Sequence, residues 1–274
     1  MPGASSTLPP PDALAAGLGG WAREVVWDVH PETTTWRLTR DRAVRYLKVQ
    51  AAGHEPTLEA EAARMRWARG RLPVPEVLGY GRGEAKADAE ASPRAVEWLL
   101  TAGLPGVNGV HESVQRDPAR LVEGLARGLR RIHTLPAADC PFDFRQEAAL
   151  AHVRRRVGAG LVRQDHLHEE FAHLNPVTAL AELEATRPGD EAPVVCHGDY
   201  CTPNVLLDPD FEAVGFVDLA ELGVADPWWD LAAATWSVGW SLGEVWSERF
   251  LGAYGVEPEP ARLRWYRLLY DLAS

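Results

Sequence analysis

The stretch VVCHGDYCTPNVLLD, residues 194–208, gathers two cysteines, a histidine and two aspartates, and two chemistries compete for it. One is soft-metal binding. Cys196, His197 and Cys201 could supply three ligands to zinc. However, the paired short spacing of a zinc site is missing, neighbours in an extended run point to opposite sides, and Cys196 closes the apolar run PVVC as a small hydrophobe does. The other is phosphoryl transfer. That reaction needs a carboxylate to orient and deprotonate the attacking hydroxyl, hard oxygen ligands for Mg²⁺, and a lysine against the nucleotide phosphates. Asp199 followed five residues later by Asn204 puts a base and a metal ligand on one loop, and Asp218 closes the run Val214 to Val217 beyond the turn DPDFE as a second ligand.

The lysine has few candidates. Lys48, in the apolar run YLKV, and Lys86, in an acidic loop, are the only two in the chain. A lysine between Leu and Val must find a partner or reach water. Glu61, thirteen residues on in an amphipathic stretch, is the candidate partner. In HPETTT, Thr33 and Thr34 either offer hydroxyls and backbone N–H groups to a phosphate or simply build a turn. Thr101, which opens the polar crossing to Gly106, joins the nucleotide set. There is no GxxxxGK[ST], which excludes a P-loop, and no GxGxxG before Lys48. GYGRG at 79–83 has no helix after it and reads as a hairpin loop rather than a dinucleotide site. The absence of APE and of an activation loop argues against a protein substrate. Asp226 and Asp230 in ADPWWDLA lie near a helix start, where carboxylates cap backbone N–H groups, and read as holding the catalytic loop.

The surrounding elements suit this chemistry. Glu24 to Val29, Thr34 to Leu38 and Val44 to Val49 are short β-branched or aromatic runs between turn-rich segments, which predicts an antiparallel meander. LEAEAARMRWARGRL predicts one amphipathic helix, with Leu58, Ala62 and Met65 on its apolar stripe, closed by Gly70 and Pro73. PEVLGYGRG and AVEWLLTAG predict two more strands joined by the loop Glu84 to Ser92. Helical patterns then dominate: Pro118 to His133, Arg145 to Val157, Glu169 to Leu174, Val177 to Ala185 and Leu231 to Tyr254. A hairpin, Asn204 to Leu207 with Val214 to Val217, interrupts them. The expected fold is α+β, with a nucleotide-binding sheet lobe and one helix over residues 1–103. A mainly helical lobe over 104–274 would carry the catalytic loop.

Composition sets the outer bounds. With 46% hydrophobic and 24% charged residues, the 274-residue chain is globular. A net charge of -11 disfavours nucleic acid or an anionic membrane as partner and attracts small cations. Three cysteines form neither an even set nor a CxxC pair, which points to a reducing cytoplasm. The first twenty residues lack a basic n-region and are broken by four prolines, and the uncharged run Leu231 to Gly243 is too short to span a bilayer.

The run CHGDYCTPNVLLDPDFEAVGFVDLAELGVADPWWDLA closely resembles the signature of the aminoglycoside phosphotransferase family. RYLKV, the EAEAARMRW helix, LRRIHTLPAADCPF and ERFLGAYGVEPEPARLRWYRLL are similar to it as well, so the likeness spans nearly the whole chain, and the branch acting on 3′ or 3″ hydroxyls is nearest. The resemblance implies a bilobal, protein-kinase-like fold. Asp199 would be the catalytic base, Asn204 and Asp218 would bind Mg²⁺, and Lys48 with Glu61 would clamp the phosphates of ATP or GTP. Tyr46 falls where the family stacks a ring on the nucleotide base. The family meets its cationic antibiotics with carboxylates, for which this chain offers Asp165, Glu169 and Glu170, then Asp271 and the Ser274 carboxylate. Trp240 and Ser241 stand where further acids are expected. Trp229, Trp236 and Trp240 have the spacing of one helical face and read as core, or as an aromatic wall for a flatter cation. The implied function is inactivation of an aminoglycoside of streptomycin or neomycin type, or of a cyclic peptide such as viomycin or capreomycin, by a monomer or weak dimer. A kinase of choline, homoserine or a thio-sugar, and a catalytically silent nucleotide-binding regulator, are the alternatives.

Overall fold

The computed structural model describes residues 7–15, 17–28, 32–86 and 92–273; Ser274 and the expected strand end Val29 lie outside them. The chain divides into two compact units. Met1–Pro105 with Val217–Ala220 form the first, and Gly106–Phe216 with Glu221–Ser274 form the second.

The first unit is a five-stranded antiparallel sheet. Strands β1 (Ala22–Trp27), β2 (Thr33–Arg40), β3 (Ala43–Ala51), β4 (Val77–Ala85) and β5 (Arg94–Ala102) pair in the order β1-β2-β3-β5-β4. Its core collects Leu38, Leu47, Val49, Ala85 and Val96 from alternate strand positions. Leu8, Leu18 and Trp21 close over them, on either side of the short α1 (Asp12–Ala15). Each such fully buried leucine or valine contributes about 1.5–3 kcal/mol. Helix α2 (Leu58–Ala68) starts at Thr57, whose side chain accepts from Ala60 N, and buries Leu58, Ala62, Met65 and Ala68 as the spacing predicts. GYGRG is no hairpin loop. It lies inside β4, where a Cβ on Gly79 or Gly81 would stand 3.2 or 3.0 Å from the indole of Trp98 on β5, so the glycines make room for that ring.

The second unit is mainly helical: α3 (Glu112–Gln115), α4 (Pro118–His133), α5 (Gln146–Gly158), α6 (Pro176–Ala185), α7 (Trp228–Leu242), α8 (Val245–Tyr254) and α9 (Pro260–Ala273). Helix α4 is capped by Asp117, has Pro118 in its first turn, and buries Leu121, Leu125, Leu129 and Ile132 at helical spacing. The predicted helix Leu231 to Tyr254 is two. Gly243, at φ 102°, turns the chain between α7 and α8. Glu169 to Leu174 yields only a 3₁₀ turn, Glu169–Phe171. Two small sheets support the loops. Strands β6 (Val107–Asn108), β8 (Val205–Leu207) and β9 (Ala213–Phe216) form one, and β7 (Val194–Cys196) with β10 (Gly223–Ala225) the other. No helix among the described residues is long and apolar enough to cross a membrane.

Candidate active site

In the first unit, β3 sends Leu47 and Val49 into the core and Tyr46, Lys48 and Gln50 to the other face. Lys48 Nζ donates to Glu61 Oε2 at 3.0 Å and to Asp218 Oδ1 at 2.9 Å. The expected partner is present, and a second carboxylate joins it. Burial alone would lower the pKa of Lys48. Asp218 and then Glu61 outweigh that, and the ammonium holds its proton beyond the usual lysine range. Burial pushes the Glu61 carboxyl up, with Lys48 opposing and Asp218 reinforcing the rise. Asp218 stands at φ 61°, a left-handed conformation that Asp tolerates better than most residues.

The remaining nucleotide candidates are less open. Strand β2 begins at Thr33, so Thr33 and Thr34 sit opposite Gln50 and Val49 in a ladder rather than in a phosphate-facing turn. Both are buried, and the Thr34 hydroxyl accepts from Leu8 N at 2.9 Å, which commits it to the N-terminal segment. Thr101 is buried in β5 opposite Tyr46, which leaves half-buried Tyr46 the more accessible of that pair.

In the second unit, β7 delivers His197, Gly198 and Asp199, and a 3₁₀ turn, Thr202–Asn204, leads into β8. Gly198 has φ 92°, and a Cβ there would lie 2.5 Å from the backbone oxygen of Glu221, so only glycine fits. Asp230, in the first turn of α7, accepts from His197 N at 2.7 Å and Gly198 N at 2.9 Å, and His133 Nε2 stands 3.0 Å away. Trp229 Nε1 donates to Gly198 O at 2.6 Å. Asp226 accepts from Ala192 N and Trp228 N, both at 3.0 Å. Asp230 thus clamps the loop as expected, whereas Asp226 holds the chain ahead of β7 and the start of α7.

Asp199 is the half-buried carboxylate of that loop. Its Oδ2 accepts from Asn204 Nδ2 at 2.8 Å, and its Oδ1 accepts from the Tyr270 hydroxyl at 3.0 Å. The Asn204 amide nitrogen is spent on Asp199, which leaves its side-chain carbonyl oxygen as a hard acceptor. That oxygen and the Asp218 carboxylate are donors of the kind Mg²⁺ takes. The soft-metal reading fails, since Cys196, His197 and Cys201 do not bring their ligand atoms together among the described residues, and burial pushes both thiols up. A group of His133, Cys196 and Asp230 does lie within 4.8 Å, but His133 and Asp230 already pair with each other.

The acceptor candidates divide sharply. Asp271 is buried and holds the His168 backbone N–H at 2.8 Å and its ring nitrogen, so it is an internal brace and not a displayed acid. Glu170 lies 3.6 Å from both Arg264 and Arg267, and Asp165 2.5 Å from Arg163. Glu169 is exposed. The tryptophans do not form one packed face. Trp228 and Trp229 are buried, whereas Trp236 is 37% and Trp240 75% exposed, because α7 is enclosed in its first turns and reaches solvent near its end. Ser241 accepts or donates to Thr202 Oγ1 at 3.1 Å, and Ser237 Oγ accepts from Thr202 N at 2.9 Å, so α7 also supports the turn before Asn204. Tyr270, Ser237 and His133 escaped the sequence reading. Their contacts, Tyr270 with Asp199, Ser237 with Thr202 and His133 with Asp230, span 71, 35 and 97 residues of chain, and no local spacing signals them.

The profile of the phosphotransferase enzyme family matches residues 23–266. An aminoglycoside 3′-phosphotransferase of Streptomyces fradiae is 40% identical over 220 residues, covering 77% of this chain and 78% of its own. The streptomycin 3″-kinase of Streptomyces griseus is 36% identical over 238 residues, 82% and 83% of the two chains. Among solved structures, an aminoglycoside 3′-phosphotransferase of type VIII superposes with a TM-score of 0.83 at 32% identity, covering 95% of this chain and 96% of that one. A 3″-type enzyme from Streptomyces rimosus, in complex with ADP and streptomycin, gives 0.73 at 30% identity, with 96% of each chain covered. The chain belongs to the phosphotransferase enzyme family, and its α+β fold is the one its solved relatives share.

Proposed function

We propose that this phosphotransferase transfers the γ-phosphoryl group of ATP to a hydroxyl of a cationic antibiotic in the cytoplasm, and so inactivates it. An aminoglycoside of neomycin or streptomycin type is the acceptor that the relatives' names support. The observation that carries the reading is the Asp199 carboxylate, fixed on a clamped loop with Asn204 on one oxygen. Asp199 takes the proton of the acceptor hydroxyl as that oxygen bonds to the γ-phosphorus; the bond from phosphorus to the β-phosphate oxygen breaks, and ADP leaves. Lys48, held by Glu61, pairs with the phosphates, and Tyr46 stacks on the base. Asn204 and Asp218 are the residues that would hold Mg²⁺, which would neutralise charge on the phosphate oxygens. The first unit handles nucleotide and the second handles acceptor.

A second acceptor class is favoured by one observation. Exposed Trp240 stands where the family's pattern expects an acid, which suits a flatter or bulkier cation such as a viomycin- or capreomycin-like peptide. The test is ADP release with Mg²⁺ and ATP across a panel of neomycin, streptomycin, capreomycin, choline and homoserine. Turnover of an antibiotic is expected. Turnover of choline or homoserine alone would overturn the reading in favour of a metabolite kinase, and tight nucleotide binding without any turnover would favour a regulator.

A further inference from the structure

The base is gripped from two sides that are unrelated in sequence. Asn204 belongs to the same loop and also donates to the Asp199 backbone carbonyl at 3.0 Å. Tyr270 arrives on α9, 71 residues later, and spends its hydroxyl on Asp199 Oδ1. A carboxylate offers about four acceptor sites, and a donor on each oxygen, Asn204 on Oδ2 and Tyr270 on Oδ1, fixes its plane. Without the phenol, Oδ1 would lose a restraint that comes from outside the loop.

The phenol suits that task. Burial, then the neighbouring Asp199, Cys201 and Glu221, push its pKa well above the usual tyrosine range, so it stays a donor. His168 lies alongside with ring centroids 6.4 Å apart, and it is tied to Asp271, the residue after Tyr270. Tyr270 also lines a hollow with His168, Ala232, Ala233, Trp236 and Arg267. His168 in turn stands edge-on to Trp236, with ring centroids 4.4 Å apart, while the Tyr270 hydroxyl touches Asp199.

We propose that Tyr270 is a positioning residue for phosphoryl transfer, holding Asp199 in the orientation that receives the acceptor's proton. This rests on the assignment of Asp199 as base and deepens it by adding a residue that acts through that base without touching nucleotide.

Tyr270→Phe removes one oxygen and keeps the ring. It is expected to lower kcat about ten-fold while the KM values for nucleotide and acceptor stay within about two-fold, since misplacement of a catalytic group acts on the transition state. Placing 3-fluorotyrosine at 270 restores the hydroxyl and is expected to return kcat to within about two-fold of the parent. The deciding measurement is a double-mutant cycle. In an Asp199→Ala background, Tyr270→Phe should cost nothing further, because a residue acting through the base has no base to act on. An unchanged kcat in Tyr270→Phe, no recovery with fluorotyrosine, or an equal loss in both backgrounds would each overturn the inference. Full activity of Asp199→Ala alone would instead remove the base assignment and this inference with it.

Discussion

The two units hold their reactive groups by different physics. In the first, Lys48 is fixed by charge, with Glu61 at 3.0 Å and Asp218 at 2.9 Å. In the second, Asp199 receives two neutral donors, the Asn204 amide at 2.8 Å and the Tyr270 phenol at 3.0 Å. The difference follows from what each group must do. In the proposed function Lys48 clamps phosphate and needs permanent charge, which two carboxylates secure. A base must take a proton, and a cation in direct contact would make it a poorer one. Charge on the second side is kept one layer back, where Asp230 holds the loop's backbone N–H groups instead of the base itself.

Four experiments would break or sharpen this contrast. Asp199→Ala should lower kcat about 100- to 10,000-fold with nucleotide affinity nearly intact; a parallel loss of nucleotide binding, read by titration, would show that the two sides are not separate. Lys48→Met should act on stability as well as on nucleotide, because it leaves Glu61 buried without its cation. Breaking a buried ion pair costs about 3–5 kcal/mol, and Lys48 is partly exposed, so about 3 kcal/mol is expected in denaturant unfolding. Trp240→Ala should leave stability unchanged, since the ring is largely exposed. It should raise the acceptor KM about five-fold if a cation stacks there, measured by steady-state kinetics.

The smallest effect concerns pH. Burial, then Cys196 and Asp230, push the Tyr254 phenol up to about 12, and its oxygen lies 2.7 Å from His133 Nδ1, behind Asp230. The folded state therefore holds this proton more tightly than the unfolded chain, whose tyrosines titrate near 10. The linked stability is present below pH ~10 and lost as pH rises toward ~12. Tyr254→Phe should flatten that part of the decline in unfolding midpoint, and an unaltered slope would count against the assigned role.

Much of this site can be read from spacing because phosphoryl transfer demands few residue types in a fixed order. Asp199, Asn204, Asp218, Lys48 and Glu61 were nameable since each pairing is either local or chemically forced; a lysine between Leu47 and Val49 must have a partner. The sheet was legible for the same reason, as β2, β3 and β5 alternate. What escaped was set by long-range packing. Asp271 looks like a displayed acid from sequence, yet α9 turns it inward to His168. Thr34 looks like turn chemistry, yet β2 extends to Thr33 and buries it. Trp236 and Trp240 look like core because helical spacing says nothing about where a helix leaves the protein. Tyr270 stood beside a residue singled out for charge and drew no notice, since its partner is 71 positions away.

Membership of Val217–Ala220 in the first unit has a consequence for biosynthesis. Lys48 and the Asp218 carboxylate are 170 residues apart in the chain. A ribosome that has released the whole five-stranded sheet has not yet made the segment that completes it. Until then Lys48 and Glu61 form a simple neutral pair, and the second carboxylate arrives only after most of the other unit has been translated. The Lys48 ion-pair cluster is therefore among the last parts of the first unit to mature, however early its strands emerge.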